Sequence, residues 1–112
     1  MNALASRLKR KLRPTDTEER CGLVLRDGRC FQVENTHGEP ARGFRLDASE
    51  MVKHEGELAG TWHTHPNQTA ALSEEDFMGF RQWPDLTHYI IGTDGVRGYR
   101  VVDGFLENAP VD

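Results

Sequence analysis

The sequence of 112 residues has only two cysteines, Cys21 and Cys30, and no CxxC pair. This pattern provides neither a disulfide framework nor a cysteine-based zinc site. We expect both thiols to be reduced and to pack as small hydrophobic side chains. Long apolar runs are also absent, since no stretch approaches the roughly 20 residues that a membrane helix needs. Because the N-terminus lacks the pattern of a secretory signal, we expect a cytoplasmic protein that does not engage a membrane.

Positive charge is not in surplus either, because 14 Lys and Arg are set against 18 Asp and Glu, which gives a formal net charge of -4. This balance argues against broad nucleic-acid binding. The exception is a basic cluster in residues 7–13, formed by Arg7, Lys9, Arg10, Lys11 and Arg13. Such a cluster is typical of a solvated helix face, although it could also bind a polyanion.

The composition is that of a folded globular chain, with 37% hydrophobic and 29% charged residues. This excludes the disordered class, and the length favours one domain spanning residues 1–112. The hydrophobic pattern predicts an α/β (α+β) architecture, a mixed β-sheet flanked by helices. Helices are predicted at 2–13, 48–57 and 73–83, where Pro14 and Pro84 stop the first and last. Strands are predicted at 21–25, 30–33, 44–46, 58–65, 88–91, 96–102 and from residue 105.

Two histidines stand at the end of the predicted strand 58–65, immediately before Pro66. Side chains at i and i+2 of a strand point to the same face, so His63 and His65 can present two imidazoles toward one point. Catalytic zinc sites use three protein ligands and keep one position open for water. Asp76 is the best candidate for a third ligand, because the loop 66–72 is long enough to bring the following helix back over the strand end.

The order His63-Thr64-His65-Pro66 followed by Ser73-Glu-Glu-Asp76 resembles the HxHP...SxxD signature of the JAMM (MPN+) zinc metallopeptidases. The resemblance implies a JAMM/MPN-like fold of the cytidine-deaminase-like type. It further implies that His63, His65 and Asp76 bind one Zn2+ and that Ser73 helps to stabilise an oxyanion. In this family an upstream Glu-x-x-Gly element supplies the glutamate that activates water. Glu19 fits that element, and Glu18 is the less favoured choice.

The activity implied by the resemblance is hydrolysis of a peptide or isopeptide bond in a protein or peptide substrate, including a ubiquitin-like conjugate. The compact length is closest to short bacterial and phage forms, such as the JAMM domain of phage tail-assembly proteins. A phage origin would imply phage tail partners and a virion-associated location. A non-enzymatic, zinc-stabilised JAMM docking module is the alternative. A third possibility, a link to DNA through RadC-like proteins and the basic cluster, is disfavoured by the acidic net charge.

Each motif residue also has a purely structural interpretation. Ser73 with Asp76 resembles a capping box, so both could serve only to start a helix. The two motif histidines could be satisfied polar residues, and Glu19 an ordinary exposed acid. The remaining histidines receive no metal role: His37, His54 and His88. His54-Glu55 begins like HExxH but lacks the second histidine. The aromatic residues are expected to pack: Trp62, Phe77, Phe80 and Trp83.

Overall fold

The computed structural model describes residues 3–111, in which six strands and three short helices follow one another. The strands are β1 Cys21–Leu25, β2 Cys30–Val33, β3 Leu58–Thr64, β4 Thr87–Gly92, β5 Gly95–Val102 and β6 Phe105–Ala109. The helices are α1 Ala3–Lys9, α2 Ala48–Lys53 and α3 Glu74–Phe80, with a 3-10 turn at Glu55–Glu57. The predicted mixed sheet flanked by helices is confirmed.

The helices are shorter than the hydrophobic pattern predicts. Helix α1 ends at Lys9 rather than at residue 13, and Asn2 lies outside the described residues. Like charges three and four residues apart, such as Arg7 with Lys11, destabilise a helix, and Pro14 restricts the backbone before it. The helix predicted at 48–57 ends at Lys53 and is followed by a separate 3-10 turn, and Gly56 disfavours its continuation as an α-helix.

Two strand predictions also need correction. The strand predicted at 44–46 is reduced to a single bridge between Leu46 and Asn35. The last strand runs further than the pattern indicated, to Ala109. It does so because β6 pairs antiparallel with β5 along five residues, and a turn at Asp103-Gly104 joins the two strands.

The strand order in the sheet is β2-β1-β3-β4-β5-β6. Only β3 and β4 run parallel, and the other neighbouring pairs are antiparallel. A parallel pair needs a crossover connection, and α3 provides it between β3 and β4. The carboxyl end of β3 therefore emerges beside the start of α3.

The two faces of the sheet are covered differently. Helix α1 packs on one face, where Leu8 contacts a buried cluster that includes Trp62 and Ile91. Side chains of the alternate residues point to the other face, which is covered by α2, α3 and the loop between β2 and α2. Both cysteines are free, as expected, and Cys21 is buried there. None of the helices in residues 3–111 combines the length and apolar character that a membrane crossing requires.

Candidate metal centre

The two motif histidines lie at the carboxyl end of β3, on the sheet face opposite α1. His63 is fully buried and His65 is 5% exposed. Their Nε2 atoms are 3.1 Å apart. The Nδ1–H of His65 donates to the carbonyl oxygen of Thr69 at 2.9 Å, which leaves its Nε2 as the lone-pair nitrogen of the neutral ring. The predicted convergence of two imidazoles is therefore present.

Asp76 reaches this pair from the first turn of α3. Its Oδ1 is 3.0 Å from Nε2 of His63 and its Oδ2 is 3.1 Å from Nε2 of His65. The helix start holds the carboxylate in position, because Oδ2 accepts the backbone N–H of Ser73 while the Ser73 hydroxyl oxygen accepts the N–H of Asp76. This is the capping box that the sequence suggested. Asp76 therefore takes part in the helix cap and also contacts both histidines.

Glu19 completes the cluster from the segment just before β1. One carboxylate oxygen of Glu19 and one ligand atom of each of His63, His65 and Asp76 lie within 4.8 Å of one another. Although the residue as a whole is half-buried, its Oε1 is shielded from solvent and has no hydrogen-bond partner within residues 3–111. Glu18, the less favoured choice, is exposed.

The glycine of the Glu-x-x-Gly element, Gly22, lies where a side chain would clash with its neighbours. A Cβ on Gly22 would overlap the carbonyl oxygen of Phe31 and the indole ring of Trp62. Trp62 is the partner of Gly22 in the register of β1 against β3, and its ring occupies the space that a side chain would need. The chain that leads from Glu19 into β1 is therefore held by close packing at Gly22.

The charges in the cluster are strongly coupled. Burial raises the pKa of Glu19 to about 7, with His65 acting against the rise and Asp76 acting with it. For Asp76, burial would raise the pKa, but hydrogen bonds from His63 and His65 outweigh it and hold the pKa well below its usual range. Burial lowers the pKa of His63. Burial also acts to lower the pKa of His65, but the hydrogen bond with Asp76 and its other partners raise it.

The donor set fits a metal ion. Two Nε2 atoms at 3.1 Å cannot both carry a proton toward each other without repulsion, and both also contact Asp76. Tetrahedral binding with metal–nitrogen distances near 2.0–2.1 Å would place two imidazole nitrogens about 3.3 Å apart. A cation between them would satisfy both imidazole nitrogens and the carboxylate of Asp76, and it would lie near the unpartnered Glu19 oxygen. The cluster could therefore bind a metal ion.

A comparison with known families bears on this site. The model of the family described as prokaryotic homologs of the JAB domain matches residues 1–102. The chain belongs to this family. The match covers the whole candidate metal centre of this JAB domain, from Glu19 to Asp76, together with the strands that carry it.

A solved structure is similar to this JAB domain along nearly its whole length. It is the solution structure of protein DSY2949 from Desulfitobacterium hafniense, with a TM-score of 0.71 and 21% sequence identity. The alignment covers 95% of this chain and 83% of that chain. At this identity the likeness concerns the fold alone. No curated protein sequence matches the chain.

Some residues around the site were not recognised from the sequence. The ring of Phe44, in the loop after β2, stacks on His63 with ring centroids 4.0 Å apart. In the same loop, Nε2 of His37 is 2.7 Å from Oε1 of Glu75, so the loop is tied to α3 next to Asp76. These contacts join segments that are far apart in the chain, so no local sequence pattern predicts them.

A groove of about 420 Å³ runs beside the cluster, between this loop and α3. Its walls are largely apolar and aromatic, formed by side chains that include Phe44, Met78, Phe80 and Trp83. Met78 is 59% exposed and gives this groove an accessible apolar wall. Phe44 lines the groove and stacks on His63, so the groove is separated from this histidine by the Phe44 ring.

Proposed function

We propose that this JAB domain, acting as one unit over residues 1–112, is a zinc-dependent metallopeptidase that hydrolyses a peptide or isopeptide bond. The observation that carries the proposal is the convergence of Glu19, His63, His65 and Asp76 within 4.8 Å. Two imidazoles and one carboxylate are a usual donor set for catalytic zinc, which leaves a position for a reactant. A zinc ion held there would supply a Lewis acid that activates water and polarises a carbonyl group.

Glu19 is proposed as the group that moves protons. It would take a proton from the attacking water and deliver that proton to the leaving amine nitrogen. Two features support this role: its Oε1 has no protein partner, and its carboxylate lies beside the three ligand residues without being hydrogen-bonded to them. A carboxylate that is hydrogen-bonded to an arginine or to a backbone amide would be less free to accept and deliver a proton.

Ser73 is proposed to donate a hydrogen bond to the carbonyl oxygen as negative charge develops on it. Its hydroxyl oxygen accepts the N–H of Asp76, and the hydroxyl hydrogen remains available for a substrate. Ser73 is exposed at the start of α3, where a substrate carbonyl can approach it. The Ser73 side chain would thus cap the helix and also donate a hydrogen bond to the oxyanion.

The substrate we propose is a protein or peptide segment, including an isopeptide-linked conjugate of a ubiquitin-like protein or a component of a phage tail. The groove beside His63 offers aromatic and aliphatic walls on which an extended segment can lie. The proposal also includes phage tail proteins as partners and a cytoplasmic or virion-associated location. These parts rest on the sequence and on the motif resemblance.

The test measures zinc content and hydrolysis on the same preparations. Purified wild type, Glu19→Gln, His65→Ala and Glu18→Gln are analysed for metal and assayed against a panel of peptide and isopeptide-linked substrates. We expect one zinc per chain in all except His65→Ala. We expect Glu19→Gln to lose activity by about 10²–10⁴-fold while it keeps zinc. Glu18→Gln makes the same change one residue away on an exposed side chain and should keep both properties.

Two results would contradict the proposal in different ways. A wild-type protein that takes up no zinc would remove the metal assignment. Zinc bound at one per chain, with no hydrolysis of any substrate and no difference between the two glutamine variants, would favour the zinc-stabilised docking module over the enzyme.

A further inference from the structure

The basic cluster of residues 7–13 forms part of a recess on the sheet face that α1 covers. The recess has a volume of about 310 Å³ and lies between the α1 segment and the edge strand β2. Trp62 points to this face, whereas its neighbour His63 points to the other, so the recess and the metal cluster are separated by the sheet. Five cationic side chains line this basic recess: Arg7, Arg10, Lys11, Arg13 and Arg20.

The charges of the basic recess are barely neutralised within the described part of the chain. Arg7 donates to the carbonyl oxygen of Gly28 at 2.6 Å, and Lys11 donates to that of Cys30 at 3.4 Å. Among these five side chains, Arg20 alone forms an ion pair within residues 3–111, with Asp16 at 3.1 Å. A chain with a net charge of -4 thus concentrates five cations and a single paired carboxylate around one concave surface.

Two buried donors have no acceptor within residues 3–111, of which one belongs to the lining of the basic recess and the other lies beside that lining without being part of it. One is Nε of Arg20, whose Nη atoms are used by Asp16 and Gln32. The other is Nε1 of Trp62, a residue with no solvent exposure, whose ring lies 5.4 Å from the ammonium nitrogen of Lys11. Buried N–H groups normally find a partner, because leaving one unpaired costs about 1–3 kcal/mol.

We infer that the basic recess binds a multiply charged phosphate anion, such as an oligophosphate or the phosphate chain of a nucleotide. Four of the five cations are arginines, whose planar donors match phosphate oxygens in pairs. The side chains that line the recess include no aromatic residue on which a base could stack, so a single-stranded nucleic acid is disfavoured. This inference does not depend on metal binding by the candidate metal centre or on peptidase activity.

The first experiment is calorimetric titration of the full chain with tripolyphosphate. The test variant is Arg10→Gln with Arg13→Gln, since both side chains are exposed and the described hydrogen bonds use neither of them. The matched control is Arg26→Gln with Lys53→Gln, which removes two exposed charges outside the basic recess. We expect saturable 1:1 binding that weakens at least about tenfold in the test variant and changes less than about twofold in the control.

The ligand series separates the possible sources of phosphate. ATP binding as tightly as tripolyphosphate, with AMP much weaker, supports recognition of the phosphate chain. AMP binding as well as ATP would overturn the inference, because the base would then be recognised. Affinity for single-stranded oligonucleotides that exceeds that for tripolyphosphate and rises with their length would also overturn it, in favour of a nucleic-acid surface.

A second readout locates the ligand without any variant. In a nitrogen–proton correlation spectrum, tripolyphosphate should shift the indole N–H signal of Trp62 and leave that of Trp83 unchanged. Trp83 lies on the other side of the sheet, in the groove beside α3, and serves as an internal reference. Absence of saturable binding, equal weakening in the control variant or equal shifts of both indole signals would contradict the assigned site.

Discussion

His63 and His88 lie on the parallel strands β3 and β4, on the same face of the sheet, and each is stacked on a phenylalanine ring. The ring centroids are 4.0 Å apart for His63 with Phe44 and 4.3 Å apart for His88 with Phe80. Both histidines are almost completely buried, at 0% and 1% exposure. By residue type, burial and stacking the two environments are nearly indistinguishable.

His63 and His88 differ in the partners of their ring nitrogens. The Nδ1 of His88 accepts from the Thr61 hydroxyl at 2.7 Å, and its Nε2–H donates to the carbonyl oxygen of Trp83 at 3.0 Å. One neutral tautomer satisfies both contacts. Nε2 of His63 instead lies against Nε2 of His65 and the carboxylate of Asp76. A ring with both nitrogens paired to separate protein groups is expected of a structural histidine, whereas a ring nitrogen that converges with a second imidazole and a carboxylate is expected of a candidate metal ligand.

The largest expected effect is the loss of metal-dependent stability in His63→Ala. Zinc that binds only the folded state stabilises it by about 4 kcal/mol when free zinc exceeds Kd by about 1,000-fold. Urea unfolding with zinc and with a chelator should show this gain for wild type and for His88→Ala, and none for His63→Ala. An equal gain in all three proteins would mean that zinc binds elsewhere and would break the comparison.

The second effect is the intrinsic cost of replacing His88. We expect His88→Ala to lose about 3 kcal/mol of unfolding free energy, because it leaves a cavity beside Phe80 and removes the partners of Thr61 and Trp83. His54→Ala is the control, since His54 is only half-buried, and it should cost less than about 1 kcal/mol. A His88→Ala protein as stable as the control would contradict the structural role.

A third prediction concerns pH. Burial lowers the pKa of His88 to about 4 in the folded protein, against 6.5 for an unperturbed histidine. Between these values the unfolded chain binds more protons, so stability falls as the pH falls. From pH 7 to pH 5 the metal-free protein should lose about 2 kcal/mol through this group. Contributions of the other titrating residues cancel when wild type is compared with His88→Asn, which should lack this part of the loss. Identical pH slopes for the two proteins would contradict the assignment.

The outline of the fold and three members of the cluster follow from local patterns, whereas Glu19 was predicted from the family resemblance alone. Strand alternation places His63 and His65 on one face, and Pro66 ends the strand beside them. The turns at Asp27-Gly28 and Asp94-Gly95 mark two hairpins, where both glycines adopt positive φ. A helix beginning at Ser73 brings Asp76 toward the strand end. These signals extend over a few residues, so sequence reasoning can use them.

The surroundings of the cluster depend on contacts between distant segments. Phe44 was expected in a brief strand, yet it covers His63, and His37 pairs with Glu75 across 38 positions of the chain. The partners of His88 were equally hidden, since Thr61 becomes its neighbour only through the register of β3 against β4. Tertiary packing decides such contacts, and no periodicity encodes them.

The smallest expected effect distinguishes helix capping from the positioning of a ligand. Ser73 and Asp47 cap α3 and α2, each by accepting a backbone N–H at 3.0 Å, so alanine at either position should cost about 1 kcal/mol of stability. Only Ser73 is bonded to the ligand Asp76, so Ser73→Ala should also weaken zinc binding about tenfold, while Asp47→Ala leaves it unchanged. Competition with a zinc indicator measures both affinities, and Ser73→Thr should restore them. Equal affinity in the two alanine variants would mean that β3 and the histidines alone orient the carboxylate of Asp76.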